Sequence, residues 1–305
     1  MTAASVDTGS SAFAVMTAEN VVAPRRTNQS TLAKFRGHLV LLGAGKMGQA
    51  MLDGWLARGL DPRKVVVLEP QPGKAVKALK RRGLKLNPEA KDKAEPAPAT
   101  AIVIAVKPQT APQALSALAP YVSKGTLVLS IMAGRTIRFL QDAMPAGTAI
   151  VRAMPNTPAA IGRGITVAVP NGRVSVRQRR QATDLLAAMG AVEWVRDEAL
   201  MDAVTAVSGS GPAYVFLLAE AMAKAGVAAG LPAALAARLA RETVAGSGEL
   251  LQRSGIDAAT LRQNVTSPGG TTAAALDVLM GPGGFDELLT RAIAAAARRG
   301  RELAG

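Results

Sequence analysis

His38-Leu39-Val40-Leu41-Leu42-Gly43-Ala44-Gly45-Lys46-Met47-Gly48 is the stretch on which the fold of this 305-residue chain turns. Four consecutive apolar residues after His38 read as a strand buried on both faces, as parallel sheets require. A G-x-G-x-x-G turn follows at once. Behind it, Met47, Ala50, Met51, Trp55 and Leu56 fall on one helical face, and Gly59 is a stop signal. In a strand–turn–helix unit, Gly43 permits the tight turn and Gly45 lets backbone approach a pyrophosphate at the helix N-terminus. Gly48 lets helix and strand pack closely. The expectation is a dinucleotide site.

Working outward, Val65-Val66-Val67-Leu68 supplies the second strand on schedule, and Glu69 ends it. A carboxylate there can hydrogen-bond the adenosine ribose and repel a 2′-phosphate, which favours NADH over NADPH. Lys74 nearby pulls the other way. Leu84 to Pro98 is charged and Pro/Ala-rich and reads as irregular. Further strands are expected at 101–106, 126–131 and 149–152. The first ends in Lys107-Pro108, so the chain turns at the carboxyl edge of the sheet, where open α/β sheets bind ligands. Met154-Pro155-Asn156-Thr157-Pro158 reads as a rigid loop at that same edge.

From Val174 onward the strand signals vanish. Helices are expected near 175–189, 198–207, 211–229, 232–253, 257–264, 271–280 and 284–303. Their many alanines give small faces with little core of their own, so a second copy is expected to cover them. Ser208-Gly209-Ser210-Gly211-Pro212 reads as a turn whose hydroxyls cap the long helix after it. Ser267-Pro268-Gly269-Gly270-Thr271-Thr272 reads as a backbone nest able to hold a carboxylate, with two hydroxyls beside it.

Composition excludes several chemistries. With no cysteine there is no disulfide, thiolate metal site or thiol nucleophile, which agrees with a reducing, cytoplasmic setting. His38 is the single histidine, so a histidine metal cluster or a histidine-based triad has almost nothing to draw on. The net charge of +14 is concentrated, with sixteen Lys/Arg against six Asp/Glu between residues 25 and 95. Aromatic residues are scarce there, so stacking on nucleic-acid bases is unsupported and a solvated basic face is expected. The most apolar stretch, residues 203–230, is broken by Gly209, Gly211 and Pro212 and carries Glu220 and Lys224, against a membrane span. Residues 1–36 read as a disordered extension, 37–170 as the dinucleotide-binding domain and 171–305 as a helical substrate and dimerisation domain.

Several segments together resemble the pyrroline-5-carboxylate reductase family. They are residues 43–48, Ala105-Val106-Lys107-Pro108, Ala133-Gly134, Arg152-Ala153-Met154-Pro155-Asn156-Thr157-Pro158, the run DAVTAVSGSGPAY from Asp202 to Tyr214, and NVTSPGGTT from Asn264 to Thr272. The resemblance covers roughly residues 38–303. It implies an α/β Rossmann domain followed by an all-α dimerisation domain, with active sites that borrow from both. The implied reaction reduces 1-pyrroline-5-carboxylate to L-proline by hydride transfer from NADPH or NADH. It implies a homodimer or higher assembly, up to a decamer.

Carried over by position, Leu42, Gly43, Ala44, Gly45, Lys46, Met47 and Pro70 line the dinucleotide, and Glu69 joins them on its own reading as the acid at the end of the second strand. Ala105, Val106, Lys107, Pro108, Ile131, Met132 and Ala133 lie beside it, and Asn264 contacts it. Ser267, Gly270, Thr271 and Thr272 hold the substrate, with Thr272 on the ring nitrogen as the catalytic candidate. Asn156 and Glu198 are further substrate-side candidates. The chain departs from the family pattern at Lys46, where many bacterial members carry Asn, and at Glu69. It also lacks an acid often found near Ser254-Gly255-Ile256-Asp257. Two other readings remain: a related imine or hydroxy-acid reductase, and a non-catalytic dinucleotide-sensing relative.

Overall fold

The computed structural model describes residues 32–88 and 98–304. By contacts, they divide into two compact units, one of residues 32–214 with 290–304 and one of residues 215–289.

The first unit is built on one eight-stranded sheet. Its strands are β1 Leu39–Leu42, β2 Val65–Leu68, β3 Lys85–Leu86, β4 Ala101–Ile104, β5 Leu127–Ser130, β6 Ala149–Met154, β7 Gly164–Pro170 and β8 Gly190–Trp194. Their order is β3-β2-β1-β4-β5-β6-β7-β8. Strands β1 to β6 run parallel; β7 is antiparallel to β6 and parallel to β8. The order reverses between β1 and β4, and at such a switch point the connecting loops diverge and leave a crevice.

Both faces of the sheet are covered. Leu39 and Leu41 point into one apolar cluster with Met51, Leu52 and Trp55, while Val40 and Leu42 point into another with Ile102 and Leu118. The two-residue period of a strand thus sends alternate side chains of one apolar run into different layers. Full burial of such a Leu or Ile contributes roughly 1.5–3 kcal/mol. The helices of this unit are α1 Lys46–Ala57, α2 Lys74–Leu79, α3 Ala111–Ala114, α4 Ile137–Ala143, α5 Val176–Leu186 and α6 Met201–Val204. Helix α1 buries Gly48, Met51, Leu52 and Trp55, a face turned slightly from the expected one, and the indole N–H of Trp55 donates to the Leu185 carbonyl at 2.8 Å.

The remaining helices are α7 Gly211–Ala228, α8 Ala233–Ser254, α9 Ala258–Asn264, α10 Thr271–Leu279 and α11 Phe285–Ala304, of which α11 counts with the first unit from residue 290 on. Each lies within a residue or two of its expected span. Asp257 caps α9, and its carboxyl lies below the usual carboxylate range because the Thr260 N–H, then its hydroxyl, bind the charged form. Among the described residues, no helix is long and apolar enough to cross a membrane.

Four readings of the sequence need correction. Strands continue past Val174, because β8 pairs along β7 through residue 194, so the contact-defined unit runs on beyond the boundary expected at residue 170. Strand β8 is an edge strand stabilised by tertiary packing: Trp194 donates to Thr183 at 3.1 Å and lies under the Arg179 guanidinium. Residues 85–86, read as irregular, form an edge strand on β2. Leu32 and Phe35, placed in a disordered extension, are buried in the core; residues 1–31 of that extension lie outside the described residues. Finally, Ser208 and Gly209, expected in a turn, belong to the π-helical run Thr205–Gly209. The Ser208 hydroxyl inside it is buried without a partner, so it caps nothing.

Candidate active site

The glycine-rich turn occupies the position its sequence requires. Gly43 has φ of 91°, and a Cβ there would come within 2.8 Å of the Ala105 backbone. That contact lies just past the paired ends of β1 and β4 at the switch point, where the Ala105 N–H donates to the Leu42 carbonyl at 2.7 Å. At Gly48 a Cβ would fall 2.2 Å from the Gly43 carbonyl oxygen. Around Gly45, by contrast, a Cβ would meet nothing within 4 Å. The turn is therefore closed on its protein side and open on the side where Gly45 begins α1 without a side-chain cap. The first N–H groups of a helix have no internal acceptor, so this one presents donors and a positive dipole end to an anion.

A cavity of about 530 Å³ opens there. Gly45, Lys46 and Met47 form one wall, Ala105, Val106, Lys107 and Pro108 the next, and Ile131, Met132 and Ala133 a third. Ten expected dinucleotide residues from three loops are thus brought to one place. Asn156, expected on the substrate side, lines the same cavity, and its side-chain oxygen accepts the Ile165 N–H at 3.0 Å. Met154, Thr157 and Gly209 also line it. Met154 and Gly209 were missed as site residues, although Gly209 lies in the SGSGP run whose π turn brings it against Met154. Arg135 donates twice to the Pro108 carbonyl, at 2.9 and 3.2 Å, and so ties two of the three walls together.

Leu42, Gly43 and Ala44 lie behind the cavity wall and are buried. Glu69 reaches back from the end of β2: its Oε2 accepts the Ala44 N–H at 2.8 Å and its Oε1 accepts the Gln71 N–H at 3.0 Å. Pro70 follows it, exposed. Glu198 lies elsewhere. Its Oε1 accepts from Arg152 Nη1 and from the Ile137 N–H, both at 2.8 Å, and it is not among the cavity-lining residues.

In the other unit, the Ser267 carbonyl accepts the Gly270 N–H at 3.0 Å, and Gly269 has φ of 68°. Gly270 is extended and starts α10 without a side-chain cap. Thr271 is exposed and Thr272 half-buried on the first turn of that helix, while Asn264 ends α9, exposed.

Residues 198–303 match the family model described as pyrroline-5-carboxylate reductase dimerisation. A pyrroline-5-carboxylate reductase from Pseudomonas aeruginosa is 38% identical over 269 residues, spanning 87% of this chain and 96% of that protein. The chain belongs to the pyrroline-5-carboxylate reductase family. Residues 38–134 match a second model, described as NADP oxidoreductase, coenzyme F420-dependent. Among solved structures, the pyrroline-5-carboxylate reductase from Coxiella burnetii superposes with a TM-score of 0.79 at 33% identity, covering 88% of this chain and 99% of the other. The pyrroline carboxylate reductase from Plasmodium falciparum, solved with NADP bound, gives 0.73 at 29% identity with the same coverage. The two-part build of this family, a parallel nucleotide-binding sheet followed by a helical dimerisation domain, is the build found here.

Proposed function

We propose that the protein reduces 1-pyrroline-5-carboxylate to L-proline with NADPH or NADH, the last step of proline biosynthesis. The observation that carries this reading is the uncapped start of α10. The N–H groups of Thr271, Thr272 and Ala273 have no intrahelical acceptor, and the helix dipole adds to their pull on a carboxylate. The Thr272 hydroxyl beside them is the partner for the ring nitrogen of a cyclic imino acid, with Ser267 and Thr271 flanking.

The chemistry asks little of the protein beyond placement. A protonated imine is already electrophilic, so no strong acid is needed. When bound, the reduced dinucleotide supplies the hydride. The open side of the glycine turn fits a pyrophosphate, because the position a Gly45 Cβ would take is empty space at a helix N-terminus. Lys46 and Lys107 add positive charge to the cavity walls. Asn156 is a further substrate contact. Glu198 retains Oε2, which accepts no hydrogen bond from a described residue, for the same side.

Glu69 favours NADH, since its carboxylate is held where an adenosine ribose lies in such turns. The assembly is a homodimer or a higher multiple, up to a decamer, and the chain works in the cytoplasm. The deciding experiment follows NADH and NADPH oxidation with and without added 1-pyrroline-5-carboxylate. Oxidation that requires the imino acid supports the reading, and no dependence on it overturns the reading.

A further inference from the structure

Asn87 is the one non-glycine residue with positive φ among those described, at 44°. It follows the two-residue edge strand β3, where the chain leaves the sheet. Asparagine tolerates this conformation better than most residues, yet it remains sparsely populated and persists only where surrounding bonds hold it. Here one such bond runs to Val67 and two run to Glu69. The Asn87 N–H donates to the Val67 carbonyl at 2.9 Å, as a ladder residue would. Its side chain then takes over the ladder: Oδ1 accepts the Glu69 N–H at 2.8 Å, and Nδ2 donates to the Glu69 carbonyl at 2.7 Å. Both backbone groups of Glu69, one residue beyond β2, are thus satisfied by a single amide acting as a missing strand.

We propose that Asn87 is a positioning residue for dinucleotide selection, acting through Glu69 and resting on the reading of Glu69 given above. With its backbone pinned, Glu69 turns its carboxylate toward the glycine-rich turn, where the Ala44 and Gln71 N–H groups fix one oxygen each. A carboxylate has about four acceptor sites, so two such bonds orient it and still leave room for ribose hydroxyls. The left-handed backbone of Asn87 is what lets one side chain reach both groups of Glu69 while the chain exits. The two residues are eighteen positions apart in sequence, so the clamp belongs to the edge of the sheet and not to the nucleotide turn itself.

Asn87→Gly is the informative variant, because glycine accepts the positive φ and only the amide is lost. The full-length enzyme is assayed with NADH and NADPH in parallel. Loss of two exposed hydrogen bonds is expected to raise KM for NADH roughly three- to tenfold, with kcat nearly unchanged. The NADPH/NADH ratio of kcat/KM should rise with it. Asn87→Asp, which keeps the oxygen that accepts from Glu69 and loses the donor, should shift the ratio the same way by less. In a Glu69→Ser background, which should itself move the ratio toward NADPH, Asn87→Gly should have no further effect on that ratio. If Glu69→Ser shifts the ratio and neither Asn87 variant does, Asn87 serves stability alone and the inference is overturned while the reading of Glu69 stands. If Glu69→Ser leaves the ratio unchanged, that reading fails first and takes the inference with it.

Discussion

Arg152 Nη1 lies 2.8 Å from Glu198 Oε1, the same oxygen that accepts the N–H of Ile137 at the first residue of α4. One carboxylate oxygen therefore joins three segments of the sheet-bearing unit: strand β6, the start of α4 and the 3₁₀ turn before α6. The arginine side chain is only 6% exposed and the glutamate 30%. Removing one partner of such a pair strands the other charge in a poorly solvated place.

Glu198→Ala should accordingly lower unfolding stability by about 3 kcal/mol, the low end for breaking a buried pair because Glu198 is partly exposed. Glu198→Gln keeps hydrogen-bonding capacity and should cost less. Thermal or urea unfolding of both variants reads this directly. The same proteins separate the two roles open to Glu198. A KM for the imino acid that rises in Glu198→Gln, with stability nearly preserved, assigns Oε2 to substrate. An unchanged KM makes Glu198 a clamp only.

Thr272→Val preserves volume and backbone and removes one hydroxyl from the first turn of α10. Loss of a hydrogen bond to a charged ring nitrogen should reduce kcat/KM roughly ten- to a hundredfold. Dinucleotide affinity, measured by fluorescence titration, should stay near wild type. A variant with wild-type kcat/KM would remove Thr272 from the mechanism.

Gly48 is the position in the nucleotide turn least able to take a side chain. A Cβ there would meet the Gly43 carbonyl at 2.2 Å, and backbone cannot swing aside as a side-chain tip can. Gly48→Ala should weaken binding of both dinucleotides and lower stability together. Gly45→Ala, with nothing within 4 Å of the new methyl in the protein, should leave stability within about 1 kcal/mol and weaken dinucleotide binding alone. Equal effects of the two substitutions on stability would contradict this assignment of the glycines.

Helix α7 has eighteen residues and none is buried, and Phe216 is 68% exposed. Apolar side chains left open over five helical turns need a cover. Light scattering should find at least a dimer at micromolar protein. Phe216→Asp, paired with Leu217→Asp, should shift the population toward monomer and depress the melting temperature. A monomer in the unsubstituted protein, stable and active, defeats the argument.

Elements whose signals are local can be read from the chain alone. An apolar run closed by G-x-G-x-x-G needs no distant partner to be read, since its glycines answer to steric limits within a few residues. Gly43 and Gly48 accordingly make the close approaches expected of them. The helices after residue 210 were legible because caps, stops and the 3.6-residue period lie inside each segment. Other features join residues far apart in the chain and arise only with the fold. Strand β8 exists because β7 offers it a ladder, Leu32 and Phe35 are ordered because a core receives them, and Glu198 has its partners forty-six and sixty-one residues away. Asn87 had no signal at all: an asparagine in a charged stretch becomes a clamp on Glu69 only when β3 is laid along β2. Local sterics write themselves into short motifs, whereas a hydrogen bond between distant residues leaves no mark in sequence until the fold sets its two ends side by side.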